Sequence, residues 1–231
     1  MTGNSPIVEL RQYTLKPGMR DTLIGLFERE FVETQESAGI DLIGQFRDTD
    51  DADRFVWLRG FDGLESRALS LKAFYYGPVW KSHRDAANAT MIDSSNVLLL
   101  KPAWRSSGFS HGSKRAPRGA TAQPPGVVTI SICWLAAPAT EAFIAACRGE
   151  LVVQCEESGA MPLGAFVTEP SANNFPALPI RQDENVFVWG ALFDDATAVR
   201  TFILPPYLAA TLSKPIETRR LLPTARSRLH V

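Results

Sequence analysis

Two stretches of the chain alternate apolar and polar positions in the same way and with the same residues. "RFVWLRGF" starts at Arg54 and "VFVWGALF" at Val186, so Phe55-Val56-Trp57 with Phe61 is written again, 132 residues later, as Phe187-Val188-Trp189 with Phe193. Alternation in β-branched and aromatic residues predicts strands. Working outward, "VELRQYTL" from Val8 aligns with "VTISICWL" from Val128, and Gly44 and Phe46 align with Gly164 and Phe166, all at an offset of 120. The two offsets differ by 12 residues, and the excess falls in "EPSANNFPALPIRQDEN". The Pro and Asn content of that stretch predicts a loop. One order of units at one offset, with one localised insertion, indicates tandem repetition.

Each copy reads as the same series of elements. A first strand (7–15; 127–135) leads through a turn into an amphipathic helix, whose face in the first copy carries Leu23, Leu26, Phe27 and Phe31. Two strands follow, then a second helical stretch, then a last strand (97–101; 219–222). That order, β-α-β-β-α-β, is the ferredoxin-like unit. Its helices cover one sheet face and leave the other bare. The expected fold is therefore α+β: two tandem ferredoxin-like units packed sheet to sheet as a pseudo-dimeric α+β barrel. The expected domains are residues 1–103, a Ser/Gly/Pro-rich flexible linker 104–126, and a diverged second unit 127–231.

The first copy also resembles a known family. "VELRQYTLKPGMRDTLIGLFE", "FVWLRGFDG" and "AFYYGPVWKSHRDAAN" look like NIPSNAP-family sequences over residues 7 to about 102. The second copy lacks the Glu-Leu-Arg-x-Tyr and Lys-Pro-Gly signatures. The resemblance implies the dimeric α+β barrel fold and no settled activity or catalytic set.

Strand alternation sorts the polar residues into candidates. If Val8, Leu10, Val56 and Leu58 face the helices, then Glu9, Arg11, Tyr13, Phe55, Trp57, Arg59 and Phe61 face the barrel interior. Gln45 and Arg47 join them if Leu42, Gly44 and Phe46 also face the helices. In the second copy the matching positions are Thr129, Ser131, Cys133 and Ala191, with Phe187 and Trp189 retained. Such a cavity suits a partly aromatic molecule with an anionic or carbonyl group. Arg11 and Arg59 would hold the polar end, Phe55, Trp57, Phe187 and Trp189 the apolar body, and Gln45 would assist. Glu9 would accept a proton if an apolar wall raised its pKa, and Tyr13 would stabilise an oxyanion. His83 is a further candidate base. The competing reading is a non-enzymatic binding or scaffold protein whose charged cluster is structural.

Composition narrows these readings. A net charge of −1 gives no general attraction for nucleic acid. No apolar run suggests a membrane span, and the opening residues lack a signal-peptide pattern, so a cytoplasmic protein is expected. Cys133, Cys147 and Cys155 are odd in number and spaced as core thiols on a strand and a helix. No His-x-x-x-His or phosphate-binding glycine loop occurs, so no metal or cofactor is expected. Further self-association through edge strands or exposed helices stays open.

Overall fold

The computed structural model describes residues 5–109 and 113–231. Residues 1–4 of the expected first unit and 110–112 of the expected linker lie outside them. The first half runs β1 (Ile7–Leu15), α1 (Arg20–Leu26), a π-helical turn (Phe27–Phe31), α2 (Val32–Ser37), β2 (Asp41–Asp48), β3 (Arg54–Phe61), α3 (Leu64–Tyr75), α4 (Pro78–Ala89), β4 (Met91–Asp93) and β5 (Val97–Pro102). The second half runs β6 (Val127–Leu135), α5 (Glu141–Ser158), β7 (Met161–Thr168), β8 (Asn185–Phe193), α6 (Pro206–Ala209) and β9 (Glu217–Pro223). Both halves use the same antiparallel order, β2-β3-β1-β5 and β7-β8-β6-β9. The β2–β9 and β5–β7 pairings join them, and eight strands close into a barrel with β4 paired beside β1. The halves are thus hydrogen-bonded at both seams as well as packed face to face.

The interior of the barrel is filled mainly by apolar side chains. Val8, Leu10, Val56, Leu58, Leu98 and Leu100 of the first half pack with Val128, Ile130, Val188 and Leu221 of the second. Phe109, just after β5, and Leu229, near the C-terminus, join the same core. Two further cores lie outside the barrel, each between one half-sheet and its helices. Burial on both sides makes every central strand apolar-tolerant on both faces.

This overturns the expected facing of the strands. Alternation grouped the residues correctly, but the two groups sit on opposite sides from those expected. Val8, Leu10, Val56 and Leu58 point into the barrel, while Tyr13, Phe55, Trp57 and Phe61 pack with helix residues Phe27, Phe31 and Phe74. The reason is physical. Most of the barrel interior is apolar and takes the apolar set, and the polar residues of that parity, Gln12, Asp48 and Arg219, hydrogen-bond to one another. The charged set goes where helices can supply hydrogen-bonding side chains. A β-bulge in β2, between Leu42 and Gly44, adds a second departure: Leu42 packs under the helices and Phe46 inside the barrel. Gly44 permits a close approach here, since a Cβ would stand 2.5 Å from the Phe46 ring. Gly164 does the same in the second half, 2.8 Å from Phe166.

The halves differ in their cover. α3 and α4 of the first half are answered in the second only by the short α6 and irregular chain before it. The expected second helical stretch is therefore almost absent from the second copy, where the only helix of that stretch is the four-residue α6, begun by Pro205 and Pro206. The linker is anchored in its described part. Ser107 and Phe109 are buried, and Arg115 donates to the carbonyls of Leu42 and Arg226 and to Glu36.

Candidate functional site

Four charged side chains meet between the first half-sheet and its helices. β1 and β3 pair so that Glu9 lies opposite Arg59, and Arg11 opposite Trp57. Arg67 enters from α3. The Glu9 carboxylate receives Arg11 Nη1 at 2.6 Å, Arg59 Nε at 2.8 Å and Arg67 Nε at 2.7 Å. The second terminal nitrogens of Arg59 and Arg67 also stand 2.7 Å from its oxygens. All four side chains are at most 1% exposed. Burial alone would push the Glu9 pKa up, but the charges of Arg59, Arg11 and Arg67 outweigh it and hold the carboxyl far below its usual range. The raised-pKa proton acceptor expected of Glu9 is therefore not what the geometry builds.

The surrounding groups complete the shell. Arg11 Nε donates to the Tyr13 hydroxyl at 3.0 Å, and burial pushes the Tyr13 pKa up. Arg59 Nη1 donates to Gln35 of α2 at 3.2 Å and to Tyr75 of α3 at 3.4 Å. Trp57 lies between two guanidiniums, with Arg11 5.3 Å and Arg59 5.0 Å from its ring, a cation–π arrangement on a buried face. Its indole Nε1 has no hydrogen-bond partner among the described residues. Three guanidiniums against one carboxylate leave two buried positive charges without a counter-charge in the shell just described.

The loop that distinguishes the second copy closes this site. Asn173 and Asn174, within the insertion between β7 and β8, accept from Arg67 Nη1 at 3.2 and 2.6 Å. Asn174 Nδ2 in turn donates to the Leu64 carbonyl at 2.6 Å. Phe175 is buried against Tyr75 and Tyr76, with ring centroids 6.1 and 5.9 Å away. The extra residues of one half are thus the lid of the other.

The sequence brought Glu9, Arg11, Tyr13, Phe55, Trp57 and Arg59 into one neighbourhood, and they share it. Phe187 and Trp189 do not belong to it: they lie in the second outer core with Cys133 and Phe143, with the barrel interior between them and Trp57. Gln45 faces the same side as Trp57 but is held by Arg115, 3.2 Å from its Oε1. His83 sits on α4, one-third exposed, 3.8 Å from Glu30 and edge-on to Phe31. Among the described residues no group of three His, Cys, Asp or Glu could hold a metal. Arg67, Gln35, Tyr75, Asn173 and Asn174 were missed. Arg67 carried a signal: it shares a helical stripe with Ser70, Leu71 and Phe74, an arginine on a buried face.

The same place in the second half is small and open. Thr129 pairs with Ala191 where Glu9 pairs with Arg59, and Ser131 pairs with Trp189. A 30 Å³ void is lined by Thr129, Trp189, Ala191 and Phe193. A second cavity of about 260 Å³ borders Leu151, Cys155 and Trp189 under α5 and the chain after β5.

Comparison with known proteins agrees with this architecture. The whole chain is similar to two solved structures, each described as a "putative monooxygenase". The one from Lactobacillus acidophilus NCFM has a TM-score of 0.59 at 11% identity, covering 98% of this chain and 97% of that one. The one from Fusobacterium nucleatum has a TM-score of 0.62 at 8% identity, covering 98% and 96%. At such identities the likeness is one of fold. A NIPSNAP family protein of unknown function from Agrobacterium tumefaciens aligns at 25% identity and a TM-score of 0.39, over 42% of this chain and 86% of its own. No curated protein matches the chain. The family model for NIPSNAP matches residues 8–107, the half that carries the charged cluster. Residues 8–107 are thus similar to the NIPSNAP family, and they fold here as one half of a closed α+β barrel.

Proposed function

We propose that the first half binds a small aromatic molecule carrying a carboxylate or carbonyl group, at the Arg11–Arg59–Arg67 cluster. The observation behind this reading is the surplus of two buried positive charges. Burying a charge without a partner costs several kcal/mol, so a purely structural cluster would be expected to balance. The covering loop resembles such a ligand. It offers amide oxygens to Arg67 and a phenyl ring to Tyr75 and Tyr76. If the loop lifts, an aryl carboxylate can take those places, with the guanidinium fork matching its two oxygens. Trp57 Nε1 and the Tyr13 hydroxyl are further donors near the anion. Glu9 then serves to hold the arginines in register, since it is kept ionised. This reading puts the ligand beneath the helices and not inside the barrel, whose interior is packed with apolar side chains. The free, buried cysteines accord with a cytoplasmic setting.

The test is a thermal-shift titration with benzoate and its neutral analogue benzamide, on the parent and on Arg67→Met. Benzoate is expected to raise the melting temperature of the parent, benzamide to do so far less, and Arg67→Met to lose the difference. Equal responses of parent and variant would refute the reading.

A further inference from the structure

We propose that the 260 Å³ cavity of the second half is a separate binding site for a flat apolar molecule bearing one anionic group, held by Arg148 at its mouth. The cavity lies between α5 and β7 and is roofed by the chain that follows β5. Leu151, Leu163, Ala165 and Trp189 make an apolar floor and wall, and all are buried. Trp104 forms the roof. Its place is fixed, because its backbone N–H donates to Ser107 Oγ at 3.0 Å and Ser107 Oγ donates to the Ala165 carbonyl at 2.7 Å.

Arg148 lies exposed on α5 at the rim, its guanidinium 5.4 Å from the Trp104 ring. Among the described residues it has no ion-pair partner, in contrast to the three arginines of the first half. A stacked guanidinium keeps its edge free for a carboxylate or sulfonate. Two residues lining the cavity are smaller than their counterparts in the first copy: Leu151 for Phe31 and Cys155 for Gln35. The smaller void beside Ala191 shares Leu151, Cys155 and Trp189 with it, so an apolar end can reach deeper along the same wall. The volume is somewhat below the ~300–1,000 Å³ of drug-sized sites, which favours a bicyclic aromatic acid over a larger ligand.

This site does not depend on the cluster of the first half, and the two can fail separately. The experiment is calorimetric titration of the full chain with 2-naphthoate and with neutral 2-naphthamide. The parent should bind naphthoate about tenfold more tightly than the amide, a difference of about 1.4 kcal/mol. Arg148→Ala, at an exposed position, should bring that ratio close to unity. Val152→Trp, placed on the half-exposed side of α5, should fill the cavity and abolish both. An unchanged ratio in Arg148→Ala, binding retained in Val152→Trp, or no binding to the parent each overturns the proposal. So does loss of naphthoate binding in Arg67→Met, which would put the ligand at the first-half cluster.

Discussion

Trp57 and Trp189 occupy the same position of the same strand in the two halves, and their surroundings could hardly differ more. Trp57 is wedged between two guanidiniums and Phe27 and is closed over by α3, α4 and a loop from the other half. Trp189 borders two cavities and has only α5 and irregular chain above it. The strands are nearly interchangeable, so the difference comes from what lies on them. Once Glu9 and Arg59 occupy the sheet, they need Gln35, Arg67 and Tyr75 from helices, and then Asn173 and Asn174 to satisfy Arg67. With Thr129 and Ala191 in their place, no such demand exists, and the second helical stretch has shrunk to one turn.

The largest expected effect is on Glu9. Glu9→Gln leaves three arginines buried together and should cost ~3–5 kcal/mol in urea denaturation, whereas Thr129→Val at the matching position should cost under about 1 kcal/mol. Equal losses would erase the contrast between the halves. The aromatic pair comes next. Trp57→Ala should cost ~3–5 kcal/mol, and Trp189→Ala less, because two voids already border it and its packing is incomplete. A Trp189 variant as damaging as the Trp57 one would show that the second core is as tightly filled as the first.

Acidity sharpens the comparison. Glu9 has a folded pKa depressed below its unfolded value, so its stabilisation is present above the ordinary carboxylate pKa and is lost as pH falls through the folded one. The stability gap between the parent and Glu9→Gln should therefore be flat from pH 7 down to about 5 and shrink below that. A gap that widens with acid would contradict the arrangement. The smallest effect is a gain. Ala191→Val should fill part of the 30 Å³ void, and at ~24 cal/mol per Å³ the benefit is about 0.7 kcal/mol at most. A loss of stability there would show that the void is needed or too narrow.

Much of this was legible in the chain. The repeat fixed the strand order, since Phe-Val-Trp and Gly-x-Phe recur at matching spacings, and β1 and β6 fall on the expected residues. Residues sharing a face were also readable, because alternation is strict in β1 and β3. Which face was which was not readable: on strands buried from both sides, pattern alone does not say which core holds helices. The contribution of Arg67 and of Asn173 and Asn174 comes from tertiary packing across more than 100 residues of sequence. The insertion itself was visible as 12 extra residues; its role as a lid on the opposite half was not.

The most direct test of the surplus-charge account is the stability of Arg67→Met without ligand, measured by urea denaturation. Methionine keeps an unbranched stem and a similar helix propensity and removes one of three buried positive charges. The account predicts a protein within about 1 kcal/mol of the parent, or more stable, because Glu9 keeps Arg11 and Arg59. A loss of ~3–5 kcal/mol would contradict it, showing that the carboxylate needs all three arginines and that no charge was left for a ligand.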